Sequence, residues 1–193
     1  MNRIYKFFLI LVCLFQVCIA ECMNSNVKLE KFDQTVAAGM PKSEDNDFEN
    51  ARSTGGEFGG NIIYFMGNPI GIIYMTGNLT GGTSDLKIVI HPDYRGKYPG
   101  KNVAATAEAL FIKANPGIGI GIGVGNVASL KTFIRAIRIG NLKVKNQSDQ
   151  TLVTADQLEA IIPYFEQKEA VVGDSRFEFG VYVEAREFEE QQS

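Results

Sequence analysis

The stretch Ile88 to Lys101, I-V-I-H-P-D-Y-R-G-K-Y-P-G-K, limits the fold more than any other part of the chain. A β-branched run ends at His91-Pro92, a basic turn containing Gly96 and Gly100 follows, and an alanine-rich helix is expected from about Asn102. A strand that passes through such a turn into a helix is where α/β proteins hold phosphate. The first helical N–H groups there have no partner, and the positive end of the helix dipole faces outward.

The flanking patterns say what surrounds this unit. Asn61 to Met66, a turn at Gly67-Asn68-Pro69, and Ile70 to Thr76 read as an antiparallel hairpin, and Asp85 to Ile90 as the next strand. After the turn, Val103, Ala107, Leu110, Phe111 and Ala114 fall on one helical face, so this helix is expected to cover the sheet. Pro116 to Gly125 alternates strictly, with Ile118, Ile120, Ile122 and Val124 on one side and glycines on the other. A bare glycine face suggests close approach of either a packed helix or a bound ligand chain. Asn126 then caps a helix with the buried stripe Leu130, Phe133, Ile134 and Ile137, leaving Lys131, Arg135 and Arg138 outward and Gly140 as the stop. Thr154 and Gln157 form a capping box ahead of Leu158, Ile161 and Ile162, and Pro163 ends or kinks that helix. Ser175 to Phe188 alternates as a last strand. Upstream, Asn24 to Glu49 is polar and reads as an early strand or helix plus a surface loop, closed by Gly55-Gly56 and Gly59-Gly60.

The chain has 193 residues, 45% of them hydrophobic, which suits one domain with a full core. Residues 1–20 differ from the rest: Arg3 and Lys6 precede the apolar run Phe7 to Phe15, and Cys18-Ile19-Ala20 offers a cleavage site. That is the pattern of a secretory signal peptide, with residues 21–193 as the mature domain and a secreted or periplasmic destination. An uncleaved anchor needs about 17–25 apolar residues and meets Gln16 and Glu21 too soon, so no stable membrane insertion is expected. Lipidation at Cys22 would place Glu21 where a small residue is wanted. Arg3 and Lys6 leave with the segment, which takes the formal charge from -3 to -5 and argues against nucleic-acid partners. Cys13 and Cys18 leave too, so Cys22 has no partner for an internal disulfide. Asn78 and Asn146 sit in glycosylation acceptor patterns, which have meaning only in a eukaryotic secretory route.

Several chemistries are absent. His91 is the only histidine, which removes a Cys/His zinc site, and no metal is expected. No G-x-S-x-G elbow accompanies it, so His91 reads as a loop residue without a chemical duty. Asp45 and Asp47 pair two carboxylates in a polar loop and read as solvated. The glycine run contains neither a dinucleotide fingerprint nor a P-loop.

The order of elements, a hairpin containing Ile70-Gly71-Ile72, a strand ending in I-H-P-D-Y-R-G-K, a helix, a second core strand and N-V-A-S opening another helix, resembles the GNAT superfamily of acyl-CoA N-acyltransferases. The resemblance covers Asn61 to Gly140. It implies an α/β (α+β) fold with a mixed, mostly antiparallel central sheet flanked by helices. It also implies transfer of an acyl group from acetyl-CoA or another acyl-CoA to an amine acceptor. In the family the turn after the fourth strand follows [QR]-x-x-G-x-[GA]. Arg95 and Gly100 fit its ends, while Tyr98 and Pro99 depart from it. Tyr98 cannot take positive φ cheaply and Pro99 has no N–H to donate, so Arg95, Lys97 and Lys101, with Gly96 and Gly100, would meet the phosphates.

By the same resemblance, main-chain N–H groups near Val89 and Ile90 would meet the oxyanion where the family's strands splay apart. Asn126 would hold the pantetheine side, although capping explains it equally well. Asp85 or Glu184 would be the base that deprotonates the amine, or a strand-edge charge. Phe133 stands where many members carry a thiolate-protonating tyrosine. An exported enzyme of this kind would need delivery into a host cytosol to meet acyl-CoA. The alternative on the same fold is a secreted ligand- or protein-binding module with impaired catalysis.

Overall fold

In a computed structural model the chain is described at residues 26–57, 59–76, 84–98, 102–115, 119–123, 127–145, 151–164, 166–167 and 180–184, with backbone alone at 84–85, 119–123 and 180–184. The expected signal segment, Cys22, Asn78, Pro99, Gly100, Lys101, Asn126 and Asn146 lie outside these residues, as do the outer parts of the last strand.

The strands are β1 (Val27–Lys31), β2 (Asn61–Phe65), β3 (Asn68–Thr76), β4 (Ser84–Ile90), β5 (Gly119–Gly123), β6 (Val144–Lys145), β7 (Leu152–Val153) and β8 (Gly180–Glu184). The helices are α1 (Gln34–Gly39), α2 (Asn46–Thr54), α3 (Val103–Ala114), α4 (Val127–Gly140) and α5 (Ala155–Ala160), with a short 3₁₀ turn at Pro92–Tyr94. Six strands form the main sheet in the order β1-β2-β3-β4-β5-β8, and β6 and β7 pair separately. Every neighbour in the main sheet is antiparallel except β4 and β5, which run parallel. This is the mixed, mostly antiparallel sheet expected, with helices on both faces.

Period-two alternation divides the two layers. Ile63, Phe65, Ile73 and Met75 face one side and pack with Ala105, Phe111, Ile112, Leu130 and Phe133 of α3 and α4; Ile70 joins them because the register shift between β2 and β3 falls at this residue. Ile62, Ile72, Tyr74 and Val89 face the other side, under Ala37, Met40, Phe48 and Ala51. The second layer comes from the region read only as an early strand or helix plus loop. Short caps build it: the Asp33 carboxylate accepts from the N–H groups of Thr35 and Val36, and Asp45 accepts from that of Phe48.

Three expectations change in detail. The β2–β3 turn is Met66-Gly67, with φ of 52° and 81°, the paired positive values that suit the twist of a two-residue hairpin. Asn68 and Pro69 belong to β3, and Pro69 sits opposite Tyr64 where the register shifts, so the ladder loses little by its missing N–H. On α3, Leu110 is 39% exposed and Ala114 is exposed, while residues 105–109 are all buried, because this helix is covered by both the sheet and α4. At the end of α4, Gly140 is the last helical residue and Asn141 takes the left-handed conformation, φ 49°. A Cβ at Gly140 would lie 2.9 Å from the Leu142 side chain and 3.0 Å from Ala109, so glycine there lets α3 and α4 approach. The Thr154–Gln157 capping box forms as expected.

Gly71 opposes Ile90, and a Cβ on it would stand 2.6 Å from the Val89 carbonyl oxygen and 2.8 Å from Ile90 Cδ1. Gly71→Ala should therefore destabilise the domain by about 1–3 kcal/mol, the usual cost of overpacking. A lowered denaturant midpoint would report this; an unchanged midpoint would mean that β3 and β4 part easily at this place.

Candidate active site

The site begins where two strands lose each other. β4 pairs with β5 through Ser84↔Ile120 and Asp85↔Gly121, and Leu86 to Ile90 have no partner on that side among the described residues. β5 meanwhile stays paired to β8 from Gly119 to Gly123. The divergence opens beside β4 a cavity of about 690 Å³. Leu86, Ile88 and Ile90 of β4 and Ile70 of β3 form one wall, and Ala128, Ser129, Thr132 and Arg135 of α4 form another. Asn102, Val103, Ala104, Ala105 and Glu108 of α3 complete it, with Tyr94, Arg95, Gly96 and Tyr98 from the intervening turn.

Ladder geometry decides which main-chain groups face this opening. The His91 N–H donates to the Ile70 carbonyl at 2.9 Å, so in the continuous register the bonding pairs are Ile70/His91 and Ile72/Val89. The Val89 N–H is therefore taken up by β3, and of the two oxyanion donors expected only that of Ile90 points into the gap. Consistently, the Ile90 carbonyl is free of β3 and accepts from Arg95 Nε at 2.8 Å.

The first turn of α3 supplies more donors. Asn102 precedes it at φ 48°, and its side chain makes no capping bond. Asn102 does close the first helical bond, from Thr106 at 2.8 Å. The N–H groups of Val103, Ala104 and Ala105 precede that bond and lack an intrahelical partner, and all three residues line the cavity.

The basic turn is less free than its sequence suggests. Arg95 lines the cavity, yet its Nη1 is 2.6 Å from Asp45 Oδ2, and the guanidinium holds the Asp45 carboxyl below the usual range. Asp45 was expected to be solvated; it is both the cap of α2 and the partner of Arg95, because the turn folds back over the start of that helix. Lys97 is exposed, with Nζ 5.2 Å from the centre of the Tyr94 ring. Gly96 has φ 67°, the left-handed conformation that turns the chain back. Tyr98 packs its ring on Phe65, centroids 4.5 Å apart, as well as lining the cavity.

His91 has a structural duty that its sequence context hid. It is 2% exposed; Nδ1 accepts from the Asp93 N–H at 3.2 Å, and the ring meets Phe48 edge-on at 4.7 Å. It thereby joins the end of β4 to α2, away from the cavity lining. Phe133 is wholly buried in the core and is not part of the lining either, because its neighbour Thr132 takes the cavity-facing position on α4. On that helix Lys131 pairs with Glu166 at 2.9 Å and Arg138 with Asp156 and Glu159 at 2.8 and 2.6 Å, tying the following segment to α4. Arg135 has no ion pair among the described residues. Asp85 and Glu184 occupy neighbouring register positions, opposite Gly121 and Gly119, at the paired end of the central strands. Five residues separate Asp85 from Ile90, a rise of roughly 16 Å along the strand.

Glu108 is the residue that sequence reasoning missed. It is 4% exposed, lines the cavity, and makes no hydrogen bond or ion pair among the described residues. Burial pushes its carboxyl up to about 8. The available signal was weak: one acidic residue within the otherwise uncharged stretch Val103 to Ile112. No group of three or more His, Cys, Asp or Glu able to hold a metal occurs among the described residues.

A carboxyl that keeps its proton in the native state until about pH 8, while the unfolded chain releases it near 4.5, makes unfolding proton-releasing across that window. Stability should therefore be highest below about pH 4.5 as far as this group is concerned. It should fall toward about pH 8 by up to about 1.4 kcal/mol per pH unit, and then level. Glu108→Gln should flatten that part of the profile in denaturant titrations. A wild-type profile parallel to that of the variant would mean that the carboxyl is solvated and ionised.

No family model matches the chain, and no curated protein matches it. Among solved structures the chain is similar to Naa50 of Arabidopsis thaliana in complex with the bisubstrate analogue CoA-Ac-MVNAL, at a TM-score of 0.34 and 13% identity, over 63% of this chain and 85% of that one.

Proposed function

We propose that the chain binds an acyl-CoA in the cavity beside β4 and passes its acyl group to an amine. The observation that carries this reading is the parting of β4 from β5 next to the uncapped start of α3. It brings the open side of β4 and the uncapped first turn of α3 to one cavity. The groups present fit such a ligand. The open N–H groups of Val103 to Ala105 suit a phosphate, the apolar wall of Leu86, Ile88 and Ile90 suits an alkyl chain, and Arg135 adds an uncommitted positive charge.

The thioester supplies the activated acyl group. The Ile90 N–H would meet the negative charge that develops on its carbonyl oxygen as the amine nitrogen attacks; the C=O then re-forms as the C–S bond breaks and coenzyme A leaves as its thiolate. A lysine-like amine, with a reference pKa of about 10.4, must first lose a proton. Asp85 and Glu184 remain the proposed routes, through water, since both sit at the far end of the parted strands. An exported chain would meet its donor only after delivery into an acyl-CoA-containing compartment such as a host cytosol.

A second reading, binding without turnover, is favoured by one specific observation. Phe133 offers no hydroxyl to the departing thiolate and lies inside the core. A thiol of pKa near 8.5 leaves tolerably as its anion, so turnover would be slowed rather than abolished.

Thermal denaturation of residues 21–193 separates these readings. Acetyl-CoA at about 100 times its dissociation constant should stabilise the domain by about 2.7 kcal/mol, roughly 5–10 °C in Tm. Ala128→Trp, which fills the cavity from an exposed helix position, should abolish the shift while leaving the unliganded Tm near wild type. No shift at millimolar acetyl-CoA would sink the proposal. A shift without thiol release across a panel of amines would select binding without turnover.

A further inference from the structure

Glu108 is the one buried, unpartnered ionisable side chain in the cavity lining, among the described residues, and the reaction outlined above does not use it. It lies one helical turn beyond Ala104 and Ala105, which line the same cavity. Opposite are the apolar wall of β4 and the hydroxyl-bearing Ser129 and Thr132 of α4. A carboxylate would be a poor choice for a site that takes a polyanion, since like charges repel across a low-dielectric gap. A carboxylic acid has a different use: it presents an O–H donor, which a carboxylate lacks, and an amide carbonyl is a good acceptor for it.

We propose that the Glu108 carboxyl is a ligand-recognition group: its O–H donates to an amide carbonyl of the ligand's arm. This rests on the acyl-CoA reading, because the pantetheine arm of coenzyme A carries two such amides between its phosphates and its sulfur. With phosphate at the start of α3, an arm running along β4 passes Glu108, one helical turn further into the cavity. An apolar side chain at this position would accept an alkyl chain but leave the amide unpaired, so Glu108 selects amide-bearing arms over fatty ones. It also ties recognition to protonation: once Glu108 ionises, it loses the donor and faces the ligand with a negative charge. Among the described residues, the other titratable or charged groups lining the cavity are Tyr94, Tyr98, Arg95 and Arg135, and all of them are retained in a Glu108 variant.

The test is binding of S-methyl-coenzyme A, whose thioether does not titrate, and of adenosine bisphosphate, its nucleotide half, to wild type, Glu108→Gln and Glu108→Leu. Wild type should bind S-methyl-coenzyme A on the order of ten-fold more weakly above about pH 9 than near about pH 7, whereas Glu108→Gln, which keeps a donor and an acceptor, should show no such loss. Glu108→Leu should weaken S-methyl-coenzyme A on the order of ten-fold at neutral pH and leave adenosine bisphosphate unchanged. Three results overturn the assignment while leaving the acyl-CoA reading standing: unchanged S-methyl-coenzyme A affinity in Glu108→Leu, equal weakening of both ligands, or a wild-type pH profile shared by Glu108→Gln. Failure of wild type to bind S-methyl-coenzyme A at any pH overturns the acyl-CoA reading and this assignment together.

Discussion

The rest of the molecule is arranged around a ladder that stops early. After Ser84 and Asp85, β4 has no neighbour on its β5 side among the described residues, and Leu86, Ile88 and Ile90 line a cavity there. Unpaired backbone polar groups are costly when buried, so such a gap persists only if something roofs it and something can enter it. α3 and α4 do the roofing, held close by Gly140 against Ala109 and by the apolar contacts of Phe111, Leu130 and Phe133. The cavity lies in the gap, and its wall is the outward row Leu86, Ile88 and Ile90.

The opposite face fixes where β4 ends. Val89 packs under α2, His91 sets its ring edge on Phe48, and Arg95 reaches from the turn to Asp45 at the start of that helix. The Arg95–Asp45 pair is partly exposed, and pairs of that kind contribute little to stability; its value is geometric, because it holds the turn over the sheet while Arg95 Nε closes on the Ile90 carbonyl. The two helices from the polar N-terminal region thus steady the strand end from which the cavity opens.

Charge is distributed to match. Of the basic residues near the site, Arg95 is neutralised by Asp45, and Lys131 and Arg138 are engaged by carboxylates of the segment beyond β7. Arg135 alone among these keeps an unmatched charge at the cavity, and Glu108, raised by burial, adds no negative charge at neutral pH. An acidic domain therefore presents a locally positive cavity, which a net-charge argument could not reveal.

The sequence by itself determined what depends on neighbours along the chain. Alternation named β2, β3, β4 and β5; helical spacing named α3 and α4; the Thr154–Gln157 box named the start of α5. It also placed the strand that ends at Ile90, the turn after it and the helix that follows. The tertiary structure decided everything that depends on what lies opposite. Which of the Val89 and Ile90 N–H groups is free follows from the register with β3, a matter of pairing across the sheet. That Asp45 is a partner of Arg95, and His91 a buried wedge on Phe48, depends on contacts between residues more than forty positions apart. Leu110 looked like core and is exposed, and Glu108, which the helical pattern did not single out, is buried, because α3 is packed by α4 as well as by the sheet. Local periodicity describes one face of a helix. How many faces are covered, and whether a carboxyl ends in water or in a cavity, is fixed only when the second helix docks.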